Sequence, residues 1–438
     1  MNTQSSKAGV VIVGASVAGC AAAIAFAKKG VPVTLIEKRS NADFHKPICT
    51  HFIQPCSVEA WKKLDMYDAL MTAGGVKNTI AISTRWGWIP NAPIDEEHAI
   101  NMRRLTLDPM IRQKAISTPG VTLVGGSRVV ALTVDESQRV VGVSAEKVSG
   151  GGRVDYPCSL VIAADGRESE IAELAQVKTR EWVNNRFSCF AFFRGIPNES
   201  RTVSRMWMLD PYIAYQFPND GDTTLIALMP TKDRVDDFKD DRDRSFREIV
   251  RNLPDAPDIE NAERLGEYRI NTKNSMLLRE KPPAGLALVG DAFITTDPLH
   301  GFGISWGILS SIQLAEYAAD AVLGGRKESI DRSVERYHRD RQREVWGHFK
   351  IMADMARAEP MPKPQQILFS AATRDDTMAT IVQRFLAGLT GTSELLSPFT
   401  MVRAISANVR HAVRKRLKRE STPRTGKLQD TLLSSEET

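Results

Sequence analysis

Glycines at positions 14 and 19, a serine between them at 16 and a carboxylate at 37 form the first constellation able to do chemistry. Small residues at that spacing let a backbone approach a dinucleotide pyrophosphate, and an acid about twenty residues on can accept from a ribose hydroxyl. Gly14 permits a sharp turn, Gly19 permits close packing of a helix on a strand, and Ser16 offers a hydroxyl to a phosphate. Glu37 suits an unphosphorylated ribose and would repel a 2′-phosphate, which favours FAD or NAD over NADP. Arg39, two residues on, is a further candidate contact. A glycine-rich turn with no cofactor is the alternative, and the surrounding elements argue against it.

Those elements are a buried strand at Val10 to Val13, a helix from Val17 to Lys29 and a second parallel strand at Val33 to Ile36. Together they would set a pyrophosphate on a helix N-terminus. The candidates Val121 to Val124, Val129 to Val134 and Val140 to Val148 read as a small sheet. Leu160 to Ala163 is a short buried strand ending at Asp165-Gly166, with a helix starting near Ser169. From Trp182 to Met229 apolar residues alternate, as in an antiparallel sheet. Asp233 to Asn252 is charged and helical. Leu286 to Val289 is a strand that turns at Gly290-Asp291. Long helices follow at Gly303 to Val322 and Glu335 to Ala356, then a break at Pro360 to Pro364 and helices at Met378 to Leu389 and Met401 to Lys415.

The expected fold class is α/β: a Rossmann-like dinucleotide domain with an inserted antiparallel sheet for the substrate and a helical C-terminus. The first domain would be assembled from residues 8–75, 101–181 and 271–350. The substrate domain would take 76–100 and 182–270. A helical region at 351–415 and a basic, polar tail at 416–438 complete the chain. Ligands sit where such layers meet.

The 438 residues suffice for two domains. The five cysteines form no CxxC pair and no metal spacing, so no metal is expected, and their odd number fits a reducing cytoplasm. No apolar run is long enough to span a membrane, and Met1 to Lys7 is polar, unlike a signal peptide. The net charge of +5 is uneven: Arg410 to Lys427 holds eight Lys or Arg against Glu420. Such a run is a solvated helix end or a contact for an anionic surface. No nucleic-acid module accompanies it, and no nucleic-acid partner or stable membrane insertion is expected.

Three stretches, GASVAG (Gly14–Gly19) with Glu37, ADGRES (Ala164–Ser169) and GDAFITTDPLHGFGIS (Gly290–Ser305), together resemble the single-component flavoprotein monooxygenases. This is the class A family with the para-hydroxybenzoate hydroxylase fold and a GR2-type FAD domain. The resemblance covers roughly residues 8 to 350. It implies bound FAD, with NADH or NADPH as reductant, and O2 and a small molecule as the reacting partners of a monomer or homodimer. Asp291 would meet the ribityl or pyrophosphate part of FAD, and Pro298 would line the flavin face. Gly301, Phe302 and Gly303 would bring backbone N–H groups toward the ring. Asp165 would fix the FAD fold, and Arg104 of RRLTLDPMI would contact FAD from a helix.

The chain departs from the family where Ile294 replaces a histidine, Ser305 replaces an asparagine and PLHGFG replaces PxxGQG. His300 falls beside the expected flavin, either as a proton shuttle or substrate contact or as a local hydrogen-bonding residue. The implied activity is oxygenation of an aromatic or polyketide-like molecule through a flavin C4a-hydroperoxide, with the protein excluding water. Trp207, Tyr215 and Phe217 are the expected substrate face. Two other flavin chemistries stand beside it. One is reduction or dehydrogenation of an unsaturated substrate. The other is halogenation, for which RWGWIP (Arg85–Pro90) and nearby Lys77 are the partial signature.

Overall fold

The computed structural model describes residues 9–91, 97–197, 201–210 and 212–420. Most of the expected basic tail, from residue 421, lies outside them. Five strands form a parallel sheet in the spatial order Leu286–Leu288, Leu160–Ala163, Val10–Val13, Val33–Glu37, Val121–Gly125. The first strand in the chain is thus the central one. Successive connections run outward on one side of it and then reverse to the other, which opens a crevice at its carboxyl end, where Gly14 stands. Val10–Val13, Leu160–Ala163 and Leu286–Leu288 are buried on both faces, as their unbroken apolar runs require. Helix Val17–Lys28 is alanine-rich and buried nearly all round.

Val121–Gly125 belongs to this parallel sheet and not to the small sheet expected for it. The helix Arg104–Ser117 precedes it as a crossover and delivers it beside Val33–Glu37. The small antiparallel sheet is made instead from Ser127–Val134, Val140–Lys147 and Arg153–Pro157.

The second large sheet has nine strands. Its middle runs Ser188–Arg194, Thr223–Met229, Tyr212–Asn219, Val203–Leu209, all antiparallel as the alternation implies. Val203–Leu209 then pairs in parallel with Val76–Thr84, so the sheet is mixed. Apolar cores lie on both of its faces. One holds Met206, Tyr215 and Phe217, and the other holds Trp207, Phe187 and Phe246 under helix Arg242–Arg251.

Helices Gly303–Gly324 and Lys327–Ala356 follow, the second beginning eight residues before the expected start. A helix at Lys363–Ala372, absent from the sequence reading, precedes Asp376–Leu386 and Pro398–Glu420. Among the described residues no helix is long and apolar enough to cross a membrane. All five cysteines are free thiols.

Candidate cofactor and substrate site

The three motif turns, far apart in sequence, converge at the crevice. A Cβ on Gly14 would lie 2.6 Å from the Ala164 carbonyl oxygen, and one on Gly19 would lie 1.8 Å from the Gly14 oxygen. Gly14 also has φ +102°, a region side chains avoid. A Cβ on Gly290 would meet the Ala18 methyl at 2.9 Å. The opening helix is therefore clamped between the second and third motifs, and only glycine fits at each contact.

Ser16 stands at the N-cap of that helix but does not cap it; its hydroxyl accepts from Arg104 Nη2 at 2.9 Å. Arg104 is buried and paired with Asp108, which also accepts from the Lys46 amide. The sequence reading named Arg104 and missed Asp108. Glu37 is buried at the end of its strand. One carboxylate oxygen accepts from Ala15 N–H at 2.8 Å and the other from Arg39 N–H at 3.0 Å. The Arg39 guanidinium lies 4.8 Å from the Phe44 ring centroid and is half exposed. Arg112, also missed, stacks on the other side of the design: its guanidinium is 3.7 Å from the same ring and bonds to the Ala15 and Phe44 carbonyls.

Asp165 accepts from the Ser169 hydroxyl at 2.6 Å and the Ile171 amide at 3.0 Å. Burial raises its pKa, and these bonds oppose the rise. It shapes the second turn. Asp291 pairs with Lys46 across the crevice at 3.0 Å. His51 has no sequence signal of its own. Its Nδ1 accepts from the Arg104 amide at 2.9 Å and so caps the helix that carries Arg104. Burial, then Arg104 and Arg103, hold its pKa down at about 3, which keeps that nitrogen an acceptor.

The third turn opens into a cavity of about 710 Å³, counting its mouth. Pro298, Leu299, His300 and Gly301 line it together with Tyr215, Phe217 and Met206 of the large sheet. Asp297 shapes the turn: its carboxylate accepts from Leu299 N–H at 2.6 Å and from Asn184. Burial pushes the Asp297 pKa up to about 6. The Tyr215 hydroxyl donates to the Leu299 carbonyl, and burial, then Asp297, raise its pKa well above the usual phenol value. Gly301 takes φ +64° against Phe52, and Gly303 opens the long helix. Phe302 is buried between them, stacked on Trp306 at 5.2 Å. Ser305, where the family has asparagine, accepts from the Gln54 amide and the Ser57 hydroxyl at 2.9 Å each. Ile294 sits in a strand paired with Leu278, so an apolar residue suits it.

His300 is buried, its ring nitrogens have no partner among the described residues, and burial holds its pKa at about 3. The imidazole is therefore neutral, with one donor and one acceptor unused at the cavity wall. It does not serve as the local hydrogen-bonding residue that was one of its two readings.

Trp207 does not reach the cavity. Strand side chains alternate, and Met206 takes the cavity face, which turns Trp207 into the other core, where its Nε1 donates to the Pro254 carbonyl. The RWGWIP stretch lies outside the cavity wall too. Trp88 donates to Asp255, and the Pro90 carbonyl accepts from Gln383. Lys77 is exposed, 5.8 Å from the Tyr67 ring, while its neighbour Asn78 lines the cavity.

One wall was invisible in the sequence. Gln383, Arg384, Leu386, Ala387 and Leu389, from the C-terminal helices, close the cavity. Gln383 Nε2 bonds the Ile80 and Pro90 carbonyls, and Arg384 pairs with Glu97 at the mouth.

Comparison with known proteins follows this geometry. The family model described as an FAD binding domain matches residues 7–350. Squalene epoxidase erg1 of Aspergillus fumigatus is 24% identical over 348 residues, spanning 68% of this chain and 64% of that protein. The solved flavin-dependent brominase Bmp2 superposes with a TM-score of 0.73 at 19% identity, covering 94% of this chain and 99% of its own. The p-nitrophenol 4-monooxygenase PnpA from Pseudomonas putida gives 0.67 at 18% identity, covering 88% and 98%. At these identities the two structures speak for the fold.

Proposed function

The chain belongs to the family of flavoproteins defined by this FAD binding domain, and on that premise we propose that it is an NAD(P)H-consuming monooxygenase of a largely apolar aromatic or polyketide-like molecule. The family makes it an FAD-dependent oxidoreductase. The residues present fit the group: Gly14, Gly19 and Gly290 leave no room for a Cβ where the three turns meet, and Glu37 stands at the second strand's end. Gly14, Ser16 and Gly19 would hold the pyrophosphate, Glu37 the ribose, and Asp291 the ribityl chain. Bound FAD supplies two-electron chemistry and the activation of O2.

The observation that carries the reading is the cavity. It joins the turn Pro298–Gly301, expected to face the flavin ring, to an aromatic sheet face. Its walls of Phe52, Ile82, Met206, Phe217 and Leu386 exclude water and bind by apolar burial. His300 offers one unpaired donor and one unpaired acceptor to a substrate oxygen. It holds a proton on one nitrogen and does not change charge near neutral pH. Tyr215 stays a phenol and keeps the turn in place through Leu299. In the balanced reaction two electrons come from NAD(P)H, one oxygen atom enters the substrate and the other leaves as water. The five free thiols fit a reducing, cytoplasmic setting.

Halogenation is favoured by the likeness to the Bmp2 fold. It calls for a lysine in the cavity, and among the described residues lining it none is a lysine. The test is to purify the yellow protein and follow NADH and NADPH oxidation under air with candidate aromatics. Substrate-stimulated oxidation and a product carrying one atom from labelled O2 support oxygenation. Turnover indifferent to O2 favours a reductase, and a bromide- or chloride-dependent product favours a halogenase.

A further inference from the structure

The last helix, Pro398–Glu420, packs one side on the helix Lys363–Ala372. Ala404, Ala407 and Thr400 are buried there, and Asn408 bonds to Ser370, Arg374 and the Ile367 carbonyl. Arg403 ties it to Asp375, the N-cap of helix Asp376–Leu386. Its other side carries Phe399, Val402, Ile405, Val409, Val413 and Leu417, each between 49% and 71% exposed. Of fifteen large apolar side chains exposed among the described residues, seven lie between Leu396 and Leu417. This is a concentration and not the usual scatter.

The spacing is informative. The stripe advances 18 residues in five steps, or 3.6 per step. That is the period of a straight helix, which keeps the stripe in one plane, unlike the 3.5 of a supercoil seam. Arg403 and Arg410 both pair with Asp375, and Arg414 follows four residues after Arg410 along the same border. Lys415 adds to a positive field that, with Arg374 first and Arg414 last, lowers the pKa of His411. The helix contains seven Lys or Arg and one carboxylate, Glu420. A second copy docking here would bring like charges together. A flat anionic surface would gain both apolar contact and charge pairing.

We propose that the helix Pro398–Glu420 is a peripheral docking element that lies in the plane of an anionic lipid surface, with its apolar stripe in the headgroup boundary and Arg414 and Lys415 toward the phosphates. This does not depend on the reaction the cavity performs. The mode is attachment from one side, as the absence of a spanning helix among the described residues requires.

The test uses the full-length, FAD-loaded protein and sedimentation with two sets of vesicles. One is phosphatidylcholine alone, and the other is phosphatidylcholine and phosphatidylserine in equal parts. Binding is expected to the second only, and to fall with added salt. The double variant Val402→Asp/Val409→Asp should bind at least tenfold more weakly, since burying each valine is worth about tenfold. Arg414→Gln should weaken binding about fivefold. Both changes lie on the exposed face, and retained bound FAD reports folding. No sedimentation of the wild type, equal binding to both vesicle sets, or undiminished binding of the valine variant each overturns the proposal. A vesicle-indifferent dimer that the valine variant splits, read by light scattering, overturns it in favour of a second copy.

Discussion

Replacing Asp297 with asparagine tests whether the turn under the cavity is held by a carboxyl that titrates near pH 6. The group is fully buried, accepts from Leu299 N–H and Asn184, and has Arg186 and Arg167 as its nearest cations. Burial outweighs them and moves the pKa from 3.8 to about 6. The folded chain therefore holds a proton that the unfolded chain has already released. Its contribution to stability is full below about pH 4, is lost as pH rises to about 6, and is constant above. At 1.36 kcal/mol per pH unit, the loss is about 3 kcal/mol. Asparagine can still accept from Leu299 N–H, but its amide meets the Asn184 amide donor to donor, at a cost of about 1 kcal/mol. The variant is thus expected to be less stable than wild type by about 1 kcal/mol near pH 4 and more stable by about 2 kcal/mol at pH 8. Urea unfolding of both FAD-loaded proteins across that range measures the crossing. Two parallel curves with a constant offset would refute the reasoning.

Other perturbations separate roles within the site. His300→Phe removes two unpartnered ring nitrogens, so stability should hold or rise by about 1 kcal/mol while KM for the oxygenated substrate rises; a fall in both stability and FAD content would sink the substrate-contact role. Gly19→Ala puts a methyl 1.8 Å from the Gly14 oxygen, and the purified protein should lose its yellow colour, read as the flavin-to-protein absorbance ratio. Phe217→Ala should raise KM about tenfold or more through lost apolar contact. Trp207→Phe should cost roughly 1–3 kcal/mol of stability with kcat/KM within about twofold; equal kinetic losses in the two variants would contradict the assignment of faces.

The glycine turns of the crevice were legible because their constraints fall on residue type. Glycine at 14, 19 and 290 answers to contacts that tolerate no Cβ, and such demands show as residue type. Sheet membership was less legible. Val121–Gly125 reads as any short apolar strand, and only its position after the helix Arg104–Ser117 sends it to the parallel sheet. The face of Trp207 was not legible at all. The run Met206–Leu209 is apolar on both sides because the sheet is buried on both sides, so alternation fixes the period without saying which parity meets the cavity. The wall from Gln383 to Leu389 had no signal, since its role comes from packing across 300 residues of sequence. His51 acts through a backbone amide, and Asp108 through the Arg104 guanidinium and the Lys46 amide, roles that show no spacing of their own in the sequence.

The family match ends at residue 350, yet the cavity is completed by residues 383–389. On the proposed function, the residues that would hold the flavin and part of the wall that would meet the substrate therefore lie on different stretches of chain. Exchange of the C-terminal segment between relatives would change what fits beneath Gln383 and Leu386 while leaving every glycine of the crevice in place. The boundary between the two stretches is the break after Ala356, where one long helix has ended and the next has yet to begin.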